Sequence, residues 1–257
     1  MNTTIYVIIG ISFIFLMTTL GGAVVFLFRK PASAKVNSLF LGFASGLMIA
    51  ASVWSLIIPA ISQSEGMGGL NFLPASLGIV LGAAFLVVMD KVLPKLFKLE
   101  NKNGLSKSGK LFLAVTLHNV PEGLAVGLAF GNAVAVGQTS AFISALWLAI
   151  GIGIQNLPEG GALALPLREK YASRVKAFAF TALSGIVEPI MAVAGVFLAG
   201  ALSPLMPYLL AFSAGSMLLV VAHELVPDAK DEHGSYIGSW GFIVGFVLMM
   251  ILDVALG

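Results

Sequence analysis

At 257 residues, with 58% hydrophobic side chains, 10% charged ones and a mean hydropathy of +1.01, the chain is too apolar for a water-soluble globule and reads as an integral membrane protein. It has no cysteine, which excludes disulfides and thiolate metal ligands. Its net charge of +2 carries little meaning as a sum, and no GxxxxGK[ST] phosphate loop or nucleic-acid motif accompanies the basic residues, so an ATP-driven pump and a nucleic-acid partner both lack support.

An apolar run of about 20 residues crosses a bilayer as a helix. Eight such runs are predicted, at 5–28, 38–61, 72–93, 110–131, 140–166, 175–200, 205–227 and 236–256, giving an all-α, polytopic membrane protein read as one transmembrane domain over 1–257. The first run is too long for a signal peptide and lacks a basic leader. Between the third and fourth, residues 94–109 form a Lys, Asn, Ser and Gly stretch that reads as a flexible linker. Within the second, Gly42 and Gly46 have a GxxxG spacing that suits either internal packing or a homodimer.

The 14 lysines and arginines then set the orientation. Arg29, Lys30 and Lys35 follow the first helix, and Lys91, Lys95, Lys98, Lys102, Lys107 and Lys110 lie around the 94–109 stretch. Arg168, Lys170, Arg174 and Lys176 follow the fifth helix, and Lys230 follows the seventh. All fall on one side of an eight-helix topology, so the positive-inside rule places that side in the cytoplasm and both termini outside.

Most acids sit in loops or at helix ends: Glu65, Asp90, Glu100, Glu169, Asp228, Asp231 and Glu232. Others fall within the spans: Glu122, Glu159 and Glu188 deep in helices four, five and six, Glu224 nearer the inner end of seven, and Asp253 nearer the outer end of eight. An ionisable group at membrane depth costs roughly 2.5 to 3.5 kcal/mol even on the mild insertion scale, so such a group marks a polar interior or a path.

Two of these acids belong to a duplicated string, HNVPEG at 118–123 and QNLPEG at 155–160. His118, Asn119 and Glu122 share one face of helix four, and Gln155, Asn156 and Glu159 repeat that face on helix five. A short uncharged outer loop makes the two helices antiparallel, so the copies can meet across a pseudo-twofold axis in the membrane plane. Pro121 and Pro158 withdraw amide donors from the carbonyls of Leu117 and Ile154, which predicts kinks, while Gly123, Gly160 and Gly161 leave room for close helix approach. One imidazole, at least two carboxylates and several amide oxygens suit Zn(II), Fe(II), Mn(II) or Cd(II) better than Cu(I) or magnesium, and two carboxylates in one cavity can bridge two cations.

With Glu188 before Pro189 on helix six and the pair His223 and Glu224 on helix seven, these motifs resemble the ZIP family of divalent-metal transporters, in its bacterial GufA-like branch, along the whole eight-helix chain. The resemblance implies one metal position at His118, Glu122, Gln155 and Glu159, completed by Met48 of helix two. It implies a second at Asn119, Asn156 and Glu188, bridged by Glu122 and Glu159. His223 and Glu224 are similar to the family's cytoplasmic exit residues, and Ser55 and Asp253 are candidate pathway groups. Many family members carry His in place of Gln155 and an acid in place of Asn156; neutral amides hold a dication less strongly, which leaves the choice among zinc, cadmium, iron and manganese open. The histidine-rich loop that many members carry between helices three and four is missing from 95–110.

Plainer roles stand beside these. The Met48 thioether also suits core packing, Glu188 a proton relay, His223 with Glu224 a solvated pair, Asp253 an interfacial cap, and the Asp228, Asp231, Glu232 and His233 turn a solvated loop. Two other functions fit the same groups: an intramembrane metal-dependent hydrolase, for which HELVP fails to complete HExxH, and a proton-coupled carrier of an organic solute. The expectation is a transporter in the cell membrane that moves divalent transition metal inward, with lipid and metal as its partners and no resident cofactor.

Overall fold

The structure is a computed structural model that describes residues 3–30, 32–96, 107–230 and 235–256. Eight helices are long and apolar enough to cross a membrane: α1 Thr3–Phe26, α2 Ala34–Ser62, α3 Phe72–Val92, α4 Leu111–Val136, α5 Thr139–Tyr171, α6 Arg174–Leu202, α7 Met206–Ala229 and α8 Ile237–Ala255. No strand occurs among the described residues.

The helices containing α3 and α4 run on into the predicted linker, to Leu96 and from Lys107. Hydropathy marks where a helix leaves lipid, whereas helical hydrogen bonds continue into water at little cost. What remains of the linker prediction, 97–106, lies outside the described residues, as do Asp231, Glu232 and His233.

Glycine organises the packing. With lipid tails as apolar as the helices, spans associate through close contact rather than a hydrophobic drive, and small residues permit it. Neighbours pair as α2 with α8, α4 with α6, α1 with α5, and α3 with α7, forming one group from α1, α4, α5 and α6 and another from α2, α3, α7 and α8. A Cβ on Gly42 or Gly46 would strike the carbonyl oxygen of Gly238 or Phe242 on α8, so this GxxxG spacing serves packing inside the chain. On α4, a Cβ on Gly123 would strike the Glu188 carbonyl oxygen, which brings α6 against the first motif.

The α4–α5 connection is only two residues, Gly137 and Gln138, and Gly137 has φ +71°, a left-handed turn that glycine adopts without steric cost. So short a link holds the two helices antiparallel and in contact. Pro121 and Pro158 both lie inside unbroken α-helices.

Proline shapes the other spans more visibly. In α6 the helix stops at Gly185 and resumes at Val187, because Pro189 cannot donate to the Gly185 carbonyl four residues back. In α2 and α7, π-helical turns at Ser52–Ile57 and Val221–Leu225 lie just before Pro59 and Pro227. There Ile58 donates to Val53 O and Val226 to Val221 O, the same five-residue span in each case. Ser55 and His223 sit at matching places in these turns, four residues before the proline. Such turns often mark functional sites.

Candidate metal centre

Helices α4 and α5 bring the two motifs face to face in the protein interior. His118, Asn119, Glu122, Gln155 and Asn156 are 0% exposed and Glu159 is 1% exposed, which is unusual for six polar side chains inside a membrane protein. His118 Nε2 lies 2.9 Å from Glu159 Oε1, close together without the alignment of a hydrogen bond. Gln155 Nε2 donates to Glu122 Oε1 at 2.7 Å. Ligand atoms from His118, Glu122 and Glu159 all lie within 4.8 Å of one another, a spacing that one metal ion can bridge.

The hydrogen bonds around this cluster leave its electron pairs unoccupied. His118 Nδ1 is 3.1 Å from Ala114 O, and a carbonyl only accepts, so the proton resides on Nδ1 and Nε2 keeps a lone pair in the neutral ring. Asn119 Nδ2 donates to Ser184 O at 3.1 Å and Asn156 Nδ2 to Glu188 Oε2 at 2.9 Å. All three motif amides therefore commit N–H groups to neighbours and keep their oxygens without a donor. With Glu122 Oε2 and both oxygens of Glu159, six buried oxygens of the motifs have no hydrogen-bond donor. Leaving each buried acceptor unsatisfied costs about 1 to 3 kcal/mol, a penalty that a bound dication removes.

Glu188, also fully buried, stands beside the cluster and differs from the other two carboxylates, because both of its oxygens accept hydrogen bonds. Asn156 serves Oε2, and Thr18 Oγ1 of α1 donates to Oε1 at 2.7 Å. Thr18 was not legible as a site residue: one threonine in an apolar span looks like a hydroxyl satisfied by its own helix, and only tertiary packing brings it to a carboxylate 170 positions away.

The remaining candidates sit on other helices. Met48 is fully buried on α2, and Ser52, one turn on, places its hydroxyl 3.9 Å from Met217 Sδ of α7. Ser55 donates to Asp253 Oδ1 at 2.6 Å in the wall of a cavity of about 440 Å³ that also includes Trp54, Pro59, Ser144, Trp147, Gly151 and Ile154. His223 and Glu224, 3.9 Å apart with the histidine 78% exposed, line a second cavity of about 250 Å³ with Asp90, Lys91, Ala114 and Leu117. The first cavity is lined by Ile154, the chain neighbour of Gln155, and the second by Leu117, the chain neighbour of His118.

Eight apolar helices around a buried nitrogen–oxygen cluster that could hold a metal ion define a polytopic membrane protein with a candidate metal centre. A family model described as ZIP Zinc transporter matches residues 108–253. The human protein named zinc transporter ZIP11 is 34% identical over 97% of both chains. Zinc transporter GufA of Myxococcus xanthus is 37% identical over 92% of this chain and 93% of its own, and zinc transporter ZIPB of Bordetella bronchiseptica is 32% identical over 98% and 82%. The chain belongs to the ZIP family, in its GufA-like branch. These relatives are named as transporters, which removes the intramembrane hydrolase reading.

Proposed function

We propose that the protein carries divalent transition metal, zinc foremost and cadmium, iron or manganese as further substrates, across the cell membrane into the cytoplasm. The observation that supports this reading best is the His118, Glu122 and Glu159 cluster, whose ligand atoms lie within 4.8 Å of one another and whose free lone pairs match a dication. The first metal position is formed by His118, Glu122, Gln155 and Glu159 with Met48. The second is formed by Asn119, Asn156 and Glu188, bridged by Glu122 and Glu159.

The whole chain acts as one transporter domain with both termini outside, since the lysines and arginines mark the cytoplasmic face. Metal enters past Ser55 and Asp253, exchanges water for carboxylate, imidazole and amide oxygen at the cluster, and leaves past His223 and Glu224. Passage requires the α1, α4, α5 and α6 group to shift against the other four helices, driven by ion gradients. Proteoliposomes loaded with a metal-sensitive dye test the reading: zinc influx is expected from the intact protein and its loss from Glu122→Ala and Glu159→Ala. Undiminished influx in both variants would overturn it.

A further inference from the structure

We propose that Thr18 is the positioning residue for Glu188, holding that carboxylate ready for the second metal position; this rests on the reading of Glu188 as a metal ligand. Thr18 is 0% exposed on α1, a helix that contributes none of the ligands named above. Its hydroxyl has two acceptors in range, Ile14 O at 3.3 Å and Glu188 Oε1 at 2.7 Å. One hydroxyl proton serves one of them, and the shorter bond to a carboxylate lies in the range of charge-assisted hydrogen bonds. Thr18 therefore gives up the local bond that threonine usually makes in a helix for a distant carboxylate.

The surrounding helices are shaped to allow this bond. A Cβ on Gly160, the residue after Glu159, would strike the Thr18 carbonyl oxygen, and a Cβ on Gly185 would stand 2.9 Å from Thr18 Cγ2. These two glycines form the notch through which α1 comes close enough to reach Glu188. The need for an external anchor is also visible, because Glu188 lies in the first turn after the helix break of α6. With Asn156 on one oxygen and Thr18 on the other, the carboxylate is held in one orientation, and each oxygen retains a lone pair for metal. Partners of this kind, which hydrogen-bond a ligand from behind, typically contribute 10- to 100-fold to metal affinity or activity.

The test compares Thr18→Val, which keeps the shape and removes the donor, with Thr18→Ser, which keeps the donor. Cd²⁺ binding to the purified full chain is measured by titration calorimetry, and uptake in proteoliposomes. Thr18→Val is expected to keep the first Cd²⁺ and to bind the second about 10- to 100-fold more weakly, with uptake reduced alongside, while Thr18→Ser behaves as the wild type does. Thr18→Ala carries the same expectation should the valine variant fail to fold. Wild-type binding of the second Cd²⁺ in the valine or alanine variant, or an equal loss in the serine variant, reduces Thr18 to packing and overturns the proposal. Glu188→Gln separates the underlying reading: if it still takes two Cd²⁺, or if the wild type takes only one, Glu188 is not a ligand of a second position and the Thr18 role falls with it.

Discussion

Gln155 on α5 donates its side-chain amide to Glu122 on α4 at 2.7 Å, and the relation is reciprocal, since His118 of the first motif meets Glu159 of the second at 2.9 Å. Each string thus supplies the partner of the other string's carboxylate. The symmetry is one of position and not of chemistry: on one side an amide N–H occupies a carboxylate oxygen, and on the other an imidazole lone pair faces one.

That asymmetry predicts the effect of Gln155→His. An imidazole there replaces an amide donor with a second nitrogen ligand, which favours zinc over manganese and magnesium. Competition uptake assays are expected to show a stronger preference for zinc than in the wild type. An unchanged order among the metals would show that position 155 does not contact the substrate.

Glu159→Gln separates binding from folding. Both Glu159 oxygens lack hydrogen-bond donors, so the substitution removes an ill-satisfied buried carboxylate and leaves the metal-free melting temperature unchanged or raised. Metal affinity should fall about 10- to 100-fold, the equivalent of about 1.5 to 3 kcal/mol for a lost charged interaction. Thermal melts with and without zinc read both quantities.

Acid should weaken transport. Metal ligands bind in their deprotonated forms, so protons and metal compete for the same lone pairs of the cluster, and metal binding releases protons. KM for zinc is therefore expected to rise as pH falls, by about tenfold per pH unit for each proton displaced, with a smaller change in maximal rate. Initial-rate uptake over a pH series checks the sign; a KM that falls on acidification contradicts direct competition.

The glycine contacts give a structural prediction with an internal control. Gly123→Ala places a methyl group against the Glu188 backbone and should cost about 1 to 3 kcal/mol by overpacking, together with disturbed metal binding at Glu188. Gly200→Ala, where nothing lies within 4 Å of the added carbon, should be neutral or stabilise by about 0.4 to 1 kcal/mol. Melting temperatures of the two variants in the same detergent compare them.

Much of this protein is written in local sequence. Lipid imposes a length and a polarity on every span, so the eight helices follow from hydropathy alone. The duplicated HNVPEG and QNLPEG strings carried the centre, because helical spacing puts each amide and carboxylate on one face and buried charge demands a shared purpose. Helix ends were less legible, as at Leu96 and Lys107, where the helix outlasts the apolar run.

Long-range pairing was decided by the tertiary structure. Whether Gly42 and Gly46 faced α8 or another chain, whether Pro121 or Pro189 interrupted its helix, and which hydroxyl reached Glu188 all depend on contacts between residues far apart in sequence. The sequence by itself determined the solvent, the number of spans and the ligand types, since these follow from free energies that single residues and single turns carry. Only the packed bundle decided that Thr18 and Asn156 close on Glu188 while Glu159 is left with open lone pairs, because a hydrogen bond between helices exists only once backbone contact brings its partners within 3 Å of each other.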